Sequence, residues 1–347
     1  MSPALRPLAP RFLAPRLLTP SRPAPRRSLR LALLLFLGAL APALARADHL
    51  YVSNEKDNTI TVVDAATLEI VKTVPVGARP RGLILSKDQK SLYVCTSDAD
   101  HIEEIDLATL SLKRTLQSGP DPETFAMSPD GKYLYVSNED DNEVSIVDIA
   151  SGRIIDEIPT GVEPEGMAVS PDGRIIVNTS ETTSMAHFID ADTHKMVASV
   201  LVGARPRFAA FTADGKQVWV SAEVGGNVSV IDVPTHRVIH TITFSIPGVP
   251  AETIQAVGIN ISHDGKLAFV ALGPANRVAV IDTATFEVQK YLLVGQRVWH
   301  MDFSFDGNTL YTANGISNDM SVIDVPHLRV VKSVPVGQSP WGVVYGP

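Results

Sequence analysis

The chain has 347 residues, with Lys+Arg 30 against Asp+Glu 38 and one cysteine. The first 47 residues hold eight arginines and no acid, so residues 48–347 carry 22 basic against 38 acidic side chains, a formal charge of −16. A body this acidic repels polyphosphate, which excludes nucleic acid as the main partner, and a single cysteine excludes an intramolecular disulfide.

The first predicted element is an export signal over residues 1–47. Arg26, Arg27 and Arg30 end a basic, proline-rich stretch, and an apolar run follows at 31–40. This run is too short to cross a bilayer of ~30 Å as a helix. Alanines at 43, 45 and 47 suit cleavage, so we expect the signal to be removed. The mature chain, residues 48–347, is then expected in the periplasm or outside the cell, without membrane insertion, and the paired arginines leave the export route open.

A repeat runs through the rest of the chain. Seven segments align, at spacings of 42, 42, 42, 42, 50 and 42 residues, and they begin at Leu50, Leu92, Leu134, Ile176, Val218, Ala268 and Leu310. Each holds four short runs rich in β-branched residues, separated by turn residues and without helical periodicity, which predicts four antiparallel strands. Four-stranded units with a period of ~40–45 residues form the blades of propellers. The sequence therefore predicts an all-β, seven-bladed β-propeller as a single domain over residues 48–347.

The turns and the end of the chain support this architecture. Five repeats carry an Asp-Gly pair, which supplies the positive-φ residues of a tight hairpin, at positions 130–131, 172–173, 214–215, 264–265 and 306–307. The chain begins on the second strand of a unit and stops after a first strand, at 340–344. We therefore expect the C-terminal strand to complete the N-terminal blade and close the ring, which removes two open sheet edges.

Two motifs connect the repeat with a known family. Tyr-Val-Ser-Asn stands at residues 51–54 and 135–138, and Ser-Pro-Asp-Gly turns recur. The chain resembles the YVTN-repeat β-propellers of bacteria and archaea. It is most similar to the propeller proteins associated with PQQ-dependent alcohol catabolism. The features that carry this resemblance are its single 50-residue repeat, its exported N-terminus and its end at the closing strand. The resemblance implies the fold and a periplasmic accessory role, but no established activity.

One aspartate occupies the same position in all seven repeats: Asp64, Asp106, Asp148, Asp190, Asp232, Asp282 and Asp324. Each is followed within a few residues by Thr, Ser or His in a turn, where an aspartate accepts hydrogen bonds from backbone N–H groups. We interpret the seven as structural, and not as a ring of metal ligands.

Differences between the copies indicate where a site would lie. The connections that lead into the inner strand of each blade meet at one end of the central channel. In ring order they are basic, acidic, acidic, basic, an insertion at 244–252, aromatic and aromatic. The candidate ligand-binding residues at this mouth are Arg79, Arg81, Glu123, Glu165, Arg205, Arg207, Trp299, His300 and Trp341.

Two interpretations of the mouth are open. As a ligand site, Arg81 and Arg207 would hold an anion while the two tryptophans stack on a planar group such as PQQ. As a structural feature, Arg81 would pair with Glu123 and Arg207 with Glu165, in exposed pairs of ~0–1 kcal/mol each, and the tryptophans would plug the channel. We favour the structural interpretation, and we expect no resident cofactor or metal.

Three functions follow from the sequence. The main hypothesis is a non-enzymatic, monomeric binding or accessory protein, whose acidic surface steers a periplasmic redox partner such as a quinoprotein dehydrogenase or a c-type cytochrome. The first alternative is a seven-bladed lactonase-type hydrolase, although loops this short leave little room for a pocket. The second alternative is a cell-surface or adhesive propeller.

Overall fold

The computed structural model describes residues 48–347, and the predicted export signal at 1–47 lies outside the described residues. The described residues form seven antiparallel sheets of four strands each. The predicted seven-bladed propeller is therefore confirmed.

The strands fall into four sets according to their position in the blade, counted outward from the central channel. The inner strands are β28 (Pro340–Gly346), β4 (Pro80–Leu85), β8 (Pro122–Met127), β12 (Pro164–Val169), β16 (Pro206–Phe211), β20 (Ile259–Ile261) and β24 (Val298–Phe303). The second strands are β1 (His49–Asn54), β5 (Ser91–Thr96), β9 (Tyr133–Asn138), β13 (Ile175–Ser180), β17 (Gln217–Ala222), β21 (Leu267–Ala271) and β25 (Thr309–Asn314). The third strands are β2 (Thr59–Asp64), β6 (His101–Asp106), β10 (Glu143–Asp148), β14 (Met185–Asp190), β18 (Asn227–Asp232), β22 (Arg277–Asp282) and β26 (Asp319–Asp324). The outer strands are β3 (Ile70–Pro75), β7 (Ser111–Gln117), β11 (Arg153–Pro159), β15 (Lys195–Leu201), β19 (Arg237–Thr243), β23 (Val288–Leu293) and β27 (Arg329–Pro335). We number the blades by their inner strands: blade 1 contains β28, and blades 2 to 7 contain β4, β8, β12, β16, β20 and β24 in that order.

Blade 1 joins the two ends of the described chain. Its strand order is β28-β1-β2-β3, and β28 pairs antiparallel with β1 from His49 opposite Gly346 to Asn54 opposite Pro340. The Tyr51 hydroxyl adds a hydrogen bond of 2.6 Å to the carbonyl oxygen of Pro347. The predicted closure of the ring by the C-terminal strand is confirmed.

The expectation that the Asp-Gly pair supplies the positive-φ residues of the turn is correct for the glycine and wrong for the aspartate. In the five Asp-Gly turns the glycine has positive φ, for example 72° at Gly131, whereas no aspartate of these pairs does. The Asp130 carboxylate instead accepts a hydrogen bond of 2.7 Å from the Ser128 hydroxyl. The seven aspartates of the repeat are also structural, because each carboxylate accepts a hydrogen bond from the backbone N–H three residues on. Asp64 Oδ1, for example, accepts hydrogen bonds from the backbone N–H groups of Ala66 and Thr67 at 3.0 and 2.7 Å.

The apolar core lies between the blades. One cluster, for instance, combines Tyr51 and Val62 of blade 1 with Leu92, Val94 and Ile105 of blade 2, all buried. Both faces of most sheets are therefore covered, which accounts for strands that are apolar without strict alternation. At about 25 cal/mol for each Å² of apolar surface removed from water, such burial is the main stabilising contribution to the ring.

Candidate functional site

A β-bulge in the inner strands places the candidate residues at the channel mouth. In six of the seven inner strands the register with the second strand shifts by one residue directly after the strand begins, as between Pro80 and Leu83 of β4. A bulge of this kind redirects side chains locally and occurs often beside functional sites. The residues at the shift form what we call the charged belt: Arg81, Glu123, Glu165, Arg207, Trp299 and Trp341.

The first half of the belt is a buried network around Glu123. The Glu123 side chain is 0% exposed and receives Arg79 Nη2 at 2.8 Å on one oxygen and Arg81 Nη1 on the other. Arg79 also holds Asp121 at 2.9 Å, and Arg81 Nε donates to Glu55 at 2.6 Å. Neither arginine is left with its charge uncompensated.

The second half of the belt centres on Arg207, whose side chain is 5% exposed. Its guanidinium contacts Glu165 at 2.9 Å and also bonds to Glu181, while Glu223 lies 3.8 Å from Nε. Burial alone lowers the pKa of Arg207, but the charges of these glutamates raise it overall. Glu165 is buried as well, and this burial raises its pKa above the usual range despite the charge of Arg207.

The structure brings together all nine residues of the sequence-predicted mouth, and the pairs Arg81–Glu123 and Arg207–Glu165 are present. The expectation that these pairs are exposed is wrong. The inner strands carry them at the axis, where neighbouring blades shield them from solvent. Pairs buried in this way cost much more to break than exposed ones.

The two tryptophans of the belt come from blades 7 and 1 and contact its arginines. The Arg297 guanidinium stacks over Trp299 at 4.3 Å from the ring centroid, and Arg207 lies at 5.6 Å from the same ring. Arg81 lies 5.6 Å from the Trp341 ring centroid. These cation–π contacts add to the ion pairs and fix the aromatic planes.

Blade 6 interrupts the belt. The position that carries a charge or an aromatic ring in the other blades holds Val257 here. Gln255, two residues before it, stands at the repeat position of Arg79, and its side-chain oxygen accepts a hydrogen bond of 2.9 Å from Arg297 Nη1. Arg297 also reaches across this blade to Glu223 at 2.7 Å.

A cavity of about 290 Å³ lies along the inner strands next to the belt. Its walls are Gly82, Leu83, Ile84, Leu85, Thr124, Phe125, Met167, Phe208, Asn260, His300, Met301, Asp302, Trp341, Gly342, Val343 and Val344. The expectation that short loops leave little room for a pocket is therefore wrong, because the inner strands and not the loops form this cavity.

Polar side chains gather on one wall of the cavity. His300 and Asp302 stand two residues apart on β24, and Asn260 lies on the adjacent β20. Asp302 accepts backbone hydrogen bonds from Tyr345 at 2.8 Å and from Phe303 at 3.0 Å. Among residues 48–347, neither His300 nor Asn260 has a side-chain hydrogen bond, so both can bind a ligand.

Burial shifts both titratable groups of this wall. It raises the pKa of the Asp302 carboxyl to about 7, although the two backbone N–H groups oppose this rise. Burial, with smaller effects from the charges of Arg207 and Arg81, lowers the pKa of His300 to about 3. At neutral pH, His300 is therefore an uncharged imidazole and Asp302 is poised to exchange a proton. Such a pair of opposite shifts in a cleft is typical of functional sites.

The imidazole is held by its neighbours. The His300 ring centroid lies 4.0 Å from that of Trp341 and 5.1 Å from that of Phe208. A Cβ on Gly258 would stand 2.6 Å from the Trp299 carbonyl oxygen, so only glycine allows β20 to approach β24 this closely.

Two acidic groups at the mouth bring carboxylate oxygens close enough for a metal ion: Asp121, Glu123 and Glu139, and Glu139, Glu163 and Glu181, each set within 4.8 Å. Asp121, Glu123 and Glu181 are already paired with arginines.

Sequence reasoning missed the inner end of the site. It singled out His300 but neither Asp302 nor Asn260, although both replace the apolar residues that other copies carry at the same repeat position: Ile84, Ala126, Ala168, Ala210 and Val344. Comparison of this one column across the repeats would have found them.

In the described part of the chain, no helix is long and apolar enough to cross a membrane.

Comparisons with family descriptions agree on a propeller and differ in the activity. A YNCE-like β-propeller family matches residues 33–135, a cytochrome D1 haem domain matches 94–205, and a seven-bladed lactonase family matches 191–329. Each match covers less than half of the chain. No curated protein matches it significantly.

Several solved structures are similar to the chain. Kuenenia stuttgartiensis hydrazine synthase has a TM-score of 0.74 at 22% identity over 80% of this chain and 92% of that chain. The periplasmic gluconolactonase PpgL of Pseudomonas aeruginosa has a TM-score of 0.72 at 19% identity, covering 86% and 99%. The dihydro-haem d1 dehydrogenase NirN, in complex with DHE, has a TM-score of 0.65 at 18% identity, covering 85% and 74%. At these identities the likeness establishes the β-propeller fold of this chain and leaves its activity open.

Proposed function

We propose that this protein is an exported hydrolase of the lactonase type, and that the channel cavity is its active site. The observation that carries this proposal is the polar wall of the cavity, where Asp302, His300 and Asn260 stand together against apolar side chains. The lactonase family match over 191–329 covers all three of these residues. The similarity to a periplasmic gluconolactonase supports the same class and an extracytoplasmic location.

Each residue of the wall has a role in ester hydrolysis. The Asp302 carboxylate takes a proton from a water molecule as that water attacks the lactone carbonyl. The carbonyl oxygen gains negative charge, and the N–H groups of His300 and Asn260 can donate hydrogen bonds to it. Collapse of this intermediate breaks the ring C–O bond, and the proton on Asp302 passes to the leaving alkoxide. The product is the open-chain hydroxy acid, and no other reactant is consumed.

The pH profile and one substitution test this assignment. Because Asp302 acts as a base only when ionised, kcat/KM should rise with pH through about 7. Asp302→Asn should lower kcat by ~100-fold or more and abolish this rise. Lactone hydrolysis is monitored through the proton that the product acid releases. A blank without protein at every pH corrects for spontaneous hydrolysis.

A matched control separates chemistry from folding. Asp264→Asn changes an exposed turn aspartate outside the cavity and should keep full activity. If Asp302→Asn hydrolyses lactones as fast as Asp264→Asn, or if the profile is flat between pH 6 and 8, Asp302 is not the base.

The stacked arginines favour a second candidate, an accessory binding protein for PQQ-dependent alcohol oxidation. Arg81 lies over Trp341 and Arg207 over Trp299, and a planar anion such as PQQ would use these contacts by displacing the glutamates that hold the two arginines. The acidic mouth would also attract a basic c-type cytochrome at low ionic strength. Calorimetry with PQQ tests this role, and Arg81→Ala should weaken binding if it is correct.

A further inference from the structure

We infer that the cavity selects small, uncharged lactones with an alkyl substituent, and that it discriminates against sugar lactones and phosphorylated lactones. This inference rests on the proposed function for its chemistry, whereas the class of ligand rests on the cavity walls alone. A δ-lactone ring with a short alkyl chain is the kind of molecule that these walls fit.

The first argument is the distribution of polar atoms. The side chains that other blades add to the cavity are largely apolar: Leu83 and Ile84 from blade 2, Phe125 from blade 3, Met167 from blade 4 and Val343 from blade 1. The Thr124 hydroxyl also lines the cavity, and it donates its hydrogen bond to the carbonyl oxygen of Glu165. One end of a ligand therefore meets hydrogen-bonding groups, and the rest meets hydrocarbon. A carbonyl with an apolar body matches this arrangement, since few precisely placed polar groups in an apolar pocket set the orientation of a ligand.

The second argument concerns hydroxyl groups. Glucono-δ-lactone carries hydroxyls around its whole ring, and those directed at Leu83, Phe125 or Met167 would find no partner. A hydrophobic pocket rejects a single added hydroxyl by ~100-fold. The gluconolactone is therefore the poorer substrate, even though the fold resembles that of a gluconolactonase.

The third argument concerns charge. The cavity walls contain no lysine or arginine, and their one charged group is the Asp302 carboxylate. The arginines nearest to the cavity, Arg81 and Arg207, are bonded to Glu123, Glu165 and Glu181. A phosphorylated lactone would bring a dianion next to a carboxylate without a free cation, which disfavours its entry.

The test compares hydrolysis and binding in the full mature chain. Hydrolysis of δ-hexalactone and of glucono-δ-lactone is measured as kcat/KM at pH 7.5, and we expect a preference of at least ~100-fold for the alkyl lactone. Binding of 6-methyl-2-piperidone, a lactam of the same shape that resists hydrolysis, is measured by calorimetry or ligand-observed NMR.

Two substitutions locate the binding. Met167→Trp and Val344→Trp fill the cavity from blades 4 and 1 and should each abolish lactam binding. Met196→Trp places the same side chain on an outer strand, where Met196 is 38% exposed, and should bind the lactam normally. Thermal unfolding of all three variants identifies any that fails to fold. If one cavity variant fails to fold, lactam binding by the other cavity variant decides whether the ligand lies in the cavity.

The outcomes separate the inference from the proposed function. Hydrolysis that favours the gluconolactone overturns the inference and leaves the hydrolase standing. Lactam binding that both cavity variants abolish, without hydrolysis of any lactone, supports the ligand class and overturns the hydrolase. Absence of both hydrolysis and lactam binding overturns both.

Discussion

Removal of the Arg207 charge is the most direct test of the buried belt. Arg207→Met keeps the aliphatic stem and deletes the guanidinium, so Glu165, Glu181 and Glu223 lose a shared counter-charge. These three side chains are 1%, 3% and 4% exposed, and therefore water cannot replace the lost contacts. Removing one partner of a buried ion pair costs ~3–5 kcal/mol.

The size of the effect should depend on pH. Burial holds the pKa of Glu165 above its value in the unfolded chain, so protonation favours the folded state as the pH falls. Loss of the arginine raises this pKa further, since the charge of Arg207 opposes the effect of burial. A protonated Glu165 no longer needs the cation. We therefore expect the full destabilisation at pH 8 and a smaller one at pH 5.

Thermal unfolding followed by circular dichroism measures both quantities. A loss of ~3–5 kcal/mol corresponds to a decrease in Tm of ~5–8 °C for a domain of this size. Arg329→Met is the matched control, because Arg329 is 64% exposed and contacts Asp324 at 3.1 Å on the surface, so its removal should change Tm little. A Tm of Arg207→Met within 2 °C of the control at pH 8, or an equal loss at pH 5, would refute the account of a buried, charge-compensated belt.

Three further predictions concern the ring and its channel. Deletion of residues 340–347 leaves β1 with an open edge, so the shortened chain should lose its cooperative unfolding transition. A melting curve like that of the full chain would show that closure does not stabilise the ring. Gly258→Ala places a Cβ 2.6 Å from the Trp299 carbonyl oxygen and should cost ~1–3 kcal/mol in chemical denaturation, so a midpoint equal to that of the unsubstituted chain would contradict this. Trp341→Ala removes a side chain that is 2% exposed and should cost ~3–5 kcal/mol, so an unchanged midpoint would mean that the tryptophan does not support the channel wall.

The blades themselves were predictable from the sequence. A strand needs only a short run of suitable residues, and a turn needs a residue such as Gly131 that tolerates positive φ. These are local requirements, and a 42-residue period repeats them often enough to remove ambiguity. The closure by β28 followed from the phase of the repeat alone, since the chain begins and ends at different strands of the unit.

The chemical character of the channel was not predictable in the same way. The sequence determined that Arg81, Glu123, Glu165 and Arg207 share one position of the repeat, and only the tertiary structure decided that this position is buried at the axis. Likewise, Asp302 is one polar residue within a strand until seven inner strands converge around it. Burial and pKa depend on how much water the neighbouring blades exclude, and that quantity is set by contacts between residues far apart in the chain.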